Sequence, residues 1–413
     1  MFENILSQEA VVERLRGEVA EESLPRVLLF EGSRYSGKLS TALELGRVLS
    51  CEAEANWNCR CSSCNRHREL VHTDTLMLGD RYFLQEIRVA ADTILSTRSA
   101  PGIYLFLRAV RKLLRRFDPV LWEGDENRLS KVASSVEVVE ESLVQFSPES
   151  ELPDHDEYRK QIDLIVHHAA KLVGVLPREG VPVQMVRNLS SWAHIAPQGR
   201  AKIAVLERVD RLQEGARNAL LKTLEEPPEN VRFVLITDNR GAVAETVLSR
   251  ARAYRFAERT ERQAAEVVRR IFRVEDPAYR SLREFFVRTS FPGTHSPTTL
   301  ARSFLEHVVE PKGAETYEKL KTIEQELKAA GGEVWLHEFL RELLSAFQAI
   351  LRTESEQHRS GARGEPALEE LPISLEQLER WNALVRRSLL QSDRFRLSVS
   401  SILDNLYFSM RSG

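Results

Sequence analysis

Cysteine is scarce in this 413-residue chain: there are four, and all fall between residues 51 and 64. A secreted domain held by disulfides spreads its cysteines along the chain, so that class is excluded, and such clustering in a reducing compartment points to a metal. Long apolar runs are also missing. No stretch approaches the ~18 uninterrupted apolar residues of a membrane span. The opening, MFENILSQEAVVERLRGEV, carries acids and arginines where a secretory signal needs an apolar run, which predicts a cytoplasmic protein without membrane contact. Neither sign of charge dominates: 58 Lys and Arg stand against 61 Asp and Glu, a net of −3. A protein that wraps nucleic acid alone carries a basic excess, so any DNA contact is expected to be local or shared with partners. What remains, 42 % apolar and 29 % charged residues, is the balance of a well-cored globular chain, and at roughly 100–200 residues per domain it predicts two to four domains.

Residues 1–75 read as helix, strand, loop and helix before the cysteines. Leu28, Leu29 and Phe30 form a short apolar run closed by Gly32, and a helical pattern starts near Lys38, the order of a parallel α/β unit. The α/β pattern resumes from Val181, with buried strands at 203–206 and 231–237 and an amphipathic helix between them that stops at Pro227 and Pro228. From Thr260 onward the pattern is helical, with capping-box spacing at Thr260 and Gln263 and at Ser374 and Gln377. Residues 80–180 have helical periodicity and read as an insertion peripheral to the α/β core, interrupted by a polar linker at 147–157; a second polar stretch, 355–366, reads as a loop. Within 104–117, Leu107, Val110, Leu113, Leu114 and Phe117 share one helical face, and Arg108, Arg111, Lys112, Arg115 and Arg116 the other. That cationic face reads either as a solvated surface or as a contact for DNA phosphate or an acidic partner.

GSRYSGK (32–38) has the G-x-x-x-x-G-K spacing of a phosphate loop, in which backbone N–H groups and a lysine cradle phosphates at a helix N-terminus. The Ser or Thr that should follow the lysine and hold Mg²⁺ is Leu39; Ser40 comes one position late, about 100° further round a helix. The motif reads as a relic with weak or no nucleotide binding, or as a loop in which ATP binding persists. In KIAVLERVDRL (202–212) the apolar strand ends in Glu207-Arg208 where a phosphate-loop ATPase needs Asp-Glu, and Arg208 cannot act as a base. Two breaks in one reaction argue against hydrolysis. Cys51, Cys59, Cys61 and Cys64 lie within fourteen residues and supply the thiolates for a closed tetrahedral Zn²⁺ site of structural type; free or redox-active thiols are the other reading. Arg250, beside Ser249 in LSRAR (248–252), reads by itself as an ordinary salt-bridge residue.

The segment NALLKTLEEPPENVRFVLITDN (218–239), followed by LSRARAYRF (248–256), resembles bacterial DNA polymerase III clamp-loader subunits of the AAA+ class. That family carries N-A-L-L-K-x-L-E-E-P-P, a Thr at the next strand's end, and Ser-Arg-Cys, here residues 218–228, Thr237 and Ser249-Arg250-Ala251. FENILSQEAVVERL, LPRVLLFEG, the cysteine cluster and VPVQMVRNLSSWAHIAPQGRAKIAVLE extend the resemblance over about residues 1–75 and 181–257. The sequence departs from the family in its tight Cys59–Cys61 step, in Ala251, and in the length of 80–180.

The resemblance implies an α/β AAA+ domain over 1–257, with a zinc module at 51–64 and the helical insertion at about 80–180. A helical lid over 258–312 and a helical oligomerisation collar over 313–413 would follow. It implies a subunit that helps load the sliding clamp onto primer-template DNA, together with gamma/tau-type ATPase subunits and a delta subunit. In that family gamma/tau subunits hydrolyse ATP and the delta prime subunit does not; Leu39 and Arg208 put this chain with the non-hydrolysing kind. Gly32, Gly37 and Lys38 then form a degenerate phosphate loop, the four cysteines hold zinc, and Arg250, with Ser249, is an arginine finger for a neighbouring subunit. The rivals are an active ATPase using Ser40 and a zinc-dependent DNA-binding or scaffold protein on the same fold.

Overall fold

The computed structural model describes residues 1–146, 155–177, 180–275, 279–291, 295–310, 313–330, 333–360, 373–395 and 398–412. They form two compact units, Met1–Phe286 and Val287–Gly413. In the first, the chain runs α1 (Glu9–Ala20), β1 (Val27–Glu31), α2 (Lys38–Ser50), α3 (Ser62–Arg68), β2 (Thr75–Leu78), α4 (Phe83–Thr97) and α5 (Ala100–Leu114). It continues through α6 (Glu126–Ser130), α7 (Ala133–Leu143), α8 (His155–Val175), α9 (Val183–His194), β3 (Lys202–Glu207), α10 (Glu214–Glu225), β4 (Val231–Thr237), α11 (Glu245–Leu248), β5 (Arg252–Arg255) and α12 (Glu261–Phe272). The division falls within α13 (Leu282–Ser290).

The five strands form one parallel sheet in the order β2-β3-β4-β1-β5. β1 to β4 read as largely apolar runs because both faces are covered, as parallel sheets require, whereas the edge strand β5 (RAYR) is partly exposed. Val27, Leu29, Ala204, Leu206, Phe233 and Leu235 enter a core shared with α4, α5, α8, α9 and α10. The alternate residues, Leu28, Phe30, Ile203, Val205, Val234 and Ile236, enter a second core with α1, α2, Cys51 and Cys64. The strands expected at 203–206 and 231–237 and the helix ending at the prolines are all present.

The insertion is not peripheral. Phe83, Ile87, Ile94, Phe106, Val110 and Leu113 are fully buried and continuous with Leu78 and Leu206 of the sheet. α5 packs on α4 and α8, with Ser99 capping its N-terminus by accepting from the Gly102 N–H. The helical period marked the apolar side correctly, but it carries no information on whether the polar side meets water or protein. Residues 147–154 of the expected linker lie outside the described residues, and 155–157 open α8.

The second unit holds α14 (Pro297–Val309), α15 (Ala314–Ala330), α16 (Glu333–Ser360), α17 (Leu375–Phe395) and α18 (Val399–Arg411). Phe304, Leu327, Leu336, Phe339, Leu343, Trp381 and Leu406 form its core, and the Trp381 indole donates to the Met410 carbonyl at 2.9 Å. Both expected capping boxes exist: Thr260 with Gln263, and Ser374 with Gln377. Residues 355–360 of the expected polar loop are the end of α16, and 361–366 lie outside the described residues. Among the described residues no helix is long and apolar enough to cross a membrane.

Candidate functional site

The phosphate loop joins β1 to α2, where a phosphate-binding turn belongs. Gly32 is required there: a Cβ would stand 2.5 Å from the Phe256 carbonyl oxygen. Gly37, at φ 99°, opens α2 from the left-handed region that favours glycine. Tyr35 shares that region at φ 60°, held by its hydroxyl, which donates to Gln85 Oε1 at 2.9 Å, and by stacking on Phe286. The Lys38 ammonium donates to the carbonyls of Gly32 (2.5 Å) and Ser33 (2.6 Å) and pairs with Asp238 at 2.9 Å. Burial lowers the Lys38 pKa, opposed by Asp238; burial works against the Asp238 charge too, but Lys38, Arg34 and Arg208 outweigh it and hold that carboxyl below its usual range. Leu39 packs in the core beneath α2, while Ser40 is exposed.

Beside this loop, the end of β3 is closed by ion pairs. Glu207 is buried, 3.1 Å from Arg81 and also paired with Arg116. Arg208 stands at φ 57° with its guanidinium 3.4 Å from Asp80. Both arginines that bind Glu207 come from the chain after β2. Arg116 also donates to the Gly79 carbonyl at 2.9 Å, and Glu86 receives Arg81 and Lys112.

The cationic face of 104–117 is therefore turned largely inward and is not the solvated surface of the first sequence reading. Arg108 donates to the carbonyls of Arg68 (2.6 Å) and His67 (3.2 Å), Arg111 to that of Glu69 (2.8 Å), and Arg115 to those of His72 and Thr75. The first three acceptors lie at the C-terminal end of α3, where unpaired carbonyls attract cations. An open cavity of about 1220 Å³ runs between these parts, lined among others by Arg34, Lys38, Trp57, Tyr82, Arg208 and Asp238.

The four cysteines converge as expected, with all Sγ atoms within 4.8 Å of one another. A tetrahedron of thiolates at the ~2.3 Å zinc–sulfur distance has edges of roughly 3.8 Å, so the cluster has the size and the donor set to hold a metal ion. N–H groups already point at the sulfurs: Ala53 and Ala55 donate to Cys51, the Cys64 amide to Cys61, and Arg47 to Cys64 at 3.2 Å. Burial opposes ionisation of Cys61, but the N–H groups of Glu52 and Cys64 outweigh it and bring that thiol down to about 7. Burial pushes the Cys64 thiol up.

Arg250 follows α11 at the surface, its side chain about a third exposed at 32 %. Its guanidinium pairs with Glu225 at 2.5 Å and donates to the Thr246 carbonyl and the Ser249 hydroxyl. Thr237 is fully buried and donates to Asp210 at 2.6 Å. Sequence reading missed Arg47, Arg81 and Asp238; only Asp238 had a local signal, as the residue after Thr237 at the end of β4.

A five-stranded parallel sheet with a phosphate-loop sequence after β1 and a four-cysteine cluster after α2 makes a clamp-loader-like α/β fold. The family described as "DNA polymerase III, delta subunit" matches residues 7–96 and 137–260, just over half of the chain, with all of α5 and α6 between the two stretches. The chain belongs to that family, the delta prime and gamma/tau group of clamp-loader subunits. It is similar to the DNA polymerase III subunit tau of Escherichia coli, 44 % identical over 69 residues, which cover 16 % of this chain and 11 % of that protein. It is similar as well to the subunit delta' of Haemophilus influenzae, 36 % identical over 87 residues, covering 21 % and 27 %. A DNA polymerase III gamma subunit-related protein of Thermotoga maritima aligns at 15 % identity and a TM-score of 0.33, covering 55 % of this chain and 78 % of that one. The chain thus spans less than a third of the length of the curated relatives it matches.

Proposed function

We propose that this chain is a non-hydrolysing, delta-prime-type subunit of a DNA polymerase III clamp loader, working in the cytoplasm beside gamma/tau-type ATPase subunits and a delta subunit. Its three parts would be the AAA+ domain (1–257), a lid (258–312) and an oligomerisation collar (313–413). Contact with primer-template DNA and the sliding clamp is made through the assembly. One observation carries the non-hydrolysing reading: Glu207, at the position where an ATPase strand offers its metal-reaching acid, is enclosed by Arg81 and Arg116. With a guanidinium on each oxygen, that carboxylate is already neutralised by charges a metal ion would have to displace or be repelled by. Leu39 in the core and Lys38 tied to Asp238 support the same reading.

The four cysteines are proposed to bind Zn²⁺, which supplies cross-linking and no reaction step. Arg250 is proposed to act in trans, with Ser249 accepting from its guanidinium and Glu225 holding it at the surface. On a neighbour's ATP, charge builds on the γ-phosphate oxygens as the bond breaks. A planar guanidinium stabilises that charge, and where tested in GTPases it contributes ~10³–10⁵ in rate.

Reconstitution tests the reading. The isolated chain should release no phosphate from ATP above buffer, and Arg250→Ala should assemble normally while slowing turnover in the complex. Phosphate release by the isolated chain that Lys38→Ala abolishes would overturn the first claim. A mutant complex that hydrolyses like the parent would overturn the second.

A further inference from the structure

Arg47 lies in the last turn of α2 and is 1 % exposed. Its guanidinium makes five directed contacts. Nε and Nη2 donate to Glu44 at 3.0 and 2.6 Å, and Nη2 also to the Ala55 carbonyl at 2.8 Å. Nη1 donates to the Asn56 carbonyl at 3.1 Å and to Cys64 Sγ at 3.2 Å. Glu44 in turn accepts from the Phe2 amide. The Trp57 ring stands 5.6 Å from the guanidinium carbon.

A buried Arg–Glu pair needs good geometry and further hydrogen bonds to offset its desolvation. Here those further bonds go to one place. Ala55 and Asn56 belong to the loop between Cys51 and Cys59, and Cys64 is the last of the four thiols, so one rigid fork holds both sides of the cluster. Glu44 cancels the charge of Arg47; what reaches Cys64 is a directed donor rather than net charge.

We propose that Arg47 is a positioning residue of the metal centre, orienting the Cys64 sulfur by an N–H···S bond and fixing the loop that carries Cys51 and Cys59. The proposal rests on the reading that the four cysteines hold a metal ion. Outer-shell partners of this kind typically change metal affinity about 10–100-fold. A lysine retains the charge but lacks the planar fork that serves sulfur, carbonyls and carboxylate together.

The test uses the full-length chain loaded with Zn²⁺, and separately with Co²⁺, titrated against a chelator. Arg47→Met should weaken zinc binding about 10–100-fold, and Arg47→Lys should recover only part of that loss. With Co²⁺, removing the N–H···S bond should move the sulfur-to-cobalt charge-transfer band to lower energy, a change that loosened packing alone does not predict. If Arg47→Met fails to fold, Arg47→Lys decides the matter. Parent-like affinity and an unshifted band in Arg47→Lys overturn the proposal. A parent chain that binds neither metal overturns it together with the metal reading, and so separates the two failures.

Discussion

Glu207 and Arg116 stand 91 residues apart in the chain, yet their charges meet in a buried ion pair at the end of β3. The pair joins β3 to the turn after α5, and Arg81 completes it. Removing one member leaves buried charge behind. Glu207→Gln should therefore destabilise the protein by about 3–5 kcal/mol, the cost of breaking a buried pair from one side. Denaturant unfolding measures this, with Glu225→Gln as a surface comparison expected to cost under about 1 kcal/mol. Equal effects from the two changes would show that burial of the Glu207 pair is energetically idle.

Lys38 and Asp238 make a second prediction. A phosphate entering the loop has to compete with a carboxylate already 2.9 Å from the ammonium. At an effective dielectric of about 20 such a contact is worth on the order of 4 kcal/mol before solvation losses. Asp238→Asn should therefore tighten ATP binding at least about tenfold by calorimetry, without starting hydrolysis, because Leu39 and the pairing of Glu207 are untouched. Unchanged affinity would show that Asp238 does not guard the lysine.

The pH dependence of stability should carry the mark of His67. Its ring stacks on His72 at 4.1 Å, and burial, reinforced by His72 and Arg108, holds its pKa down to about 2. The unfolded chain binds that proton near pH 6.5, so below about 6.5 the unfolded state holds more protons and stability falls as pH falls, down to the folded pKa. At about pH 5 this one residue removes about 2 kcal/mol relative to neutral pH. Unfolding curves of His67→Phe at several pH values should show a shallower decline than the parent; parallel declines exclude His67 as the source.

Metal removal should act first on the cysteine module and next on the helix docked to it. Chelation is expected to lower the melting temperature by at least about 5 °C. It should also raise amide exchange over residues 51–68, and then along α5, whose Arg108 and Arg111 donate to α3 carbonyls. Chelator-treated protein that melts and exchanges like the untreated sample counts against a metal-held module.

The parts legible in the sequence are those written in local spacing. The phosphate loop, the strands at 203–206 and 231–237, both capping boxes and the four cysteines each occupy a short window, and each formed where its spacing placed it. β2 was not recognised, because four residues, 75–78, are too few to show a period. The direction of the α5 cations was misread for another reason: an amphipathic pattern separates polar from apolar, and carbonyls at the end of α3 satisfy arginines as water does. Arg116 with Glu207, and Lys38 with Asp238, are long-range pairs whose partners share no window, so no motif announces them.

The inward face of α5 has a practical consequence for anyone trimming the protein. Joining residue 96 to residue 137 would keep every position matched by the family and would look like a tidy minimal version. That deletion removes Arg116 from Glu207, Lys112 from Glu86, and Arg108 from the last carbonyls of α3. The shortened chain would expose the apolar surfaces of α4 and α8 that α5 covers, with Glu86 and Glu207 each left to Arg81. Aggregation during expression is the outcome to plan for, and a replacement segment would have to supply new cations at those three points, besides closing the gap.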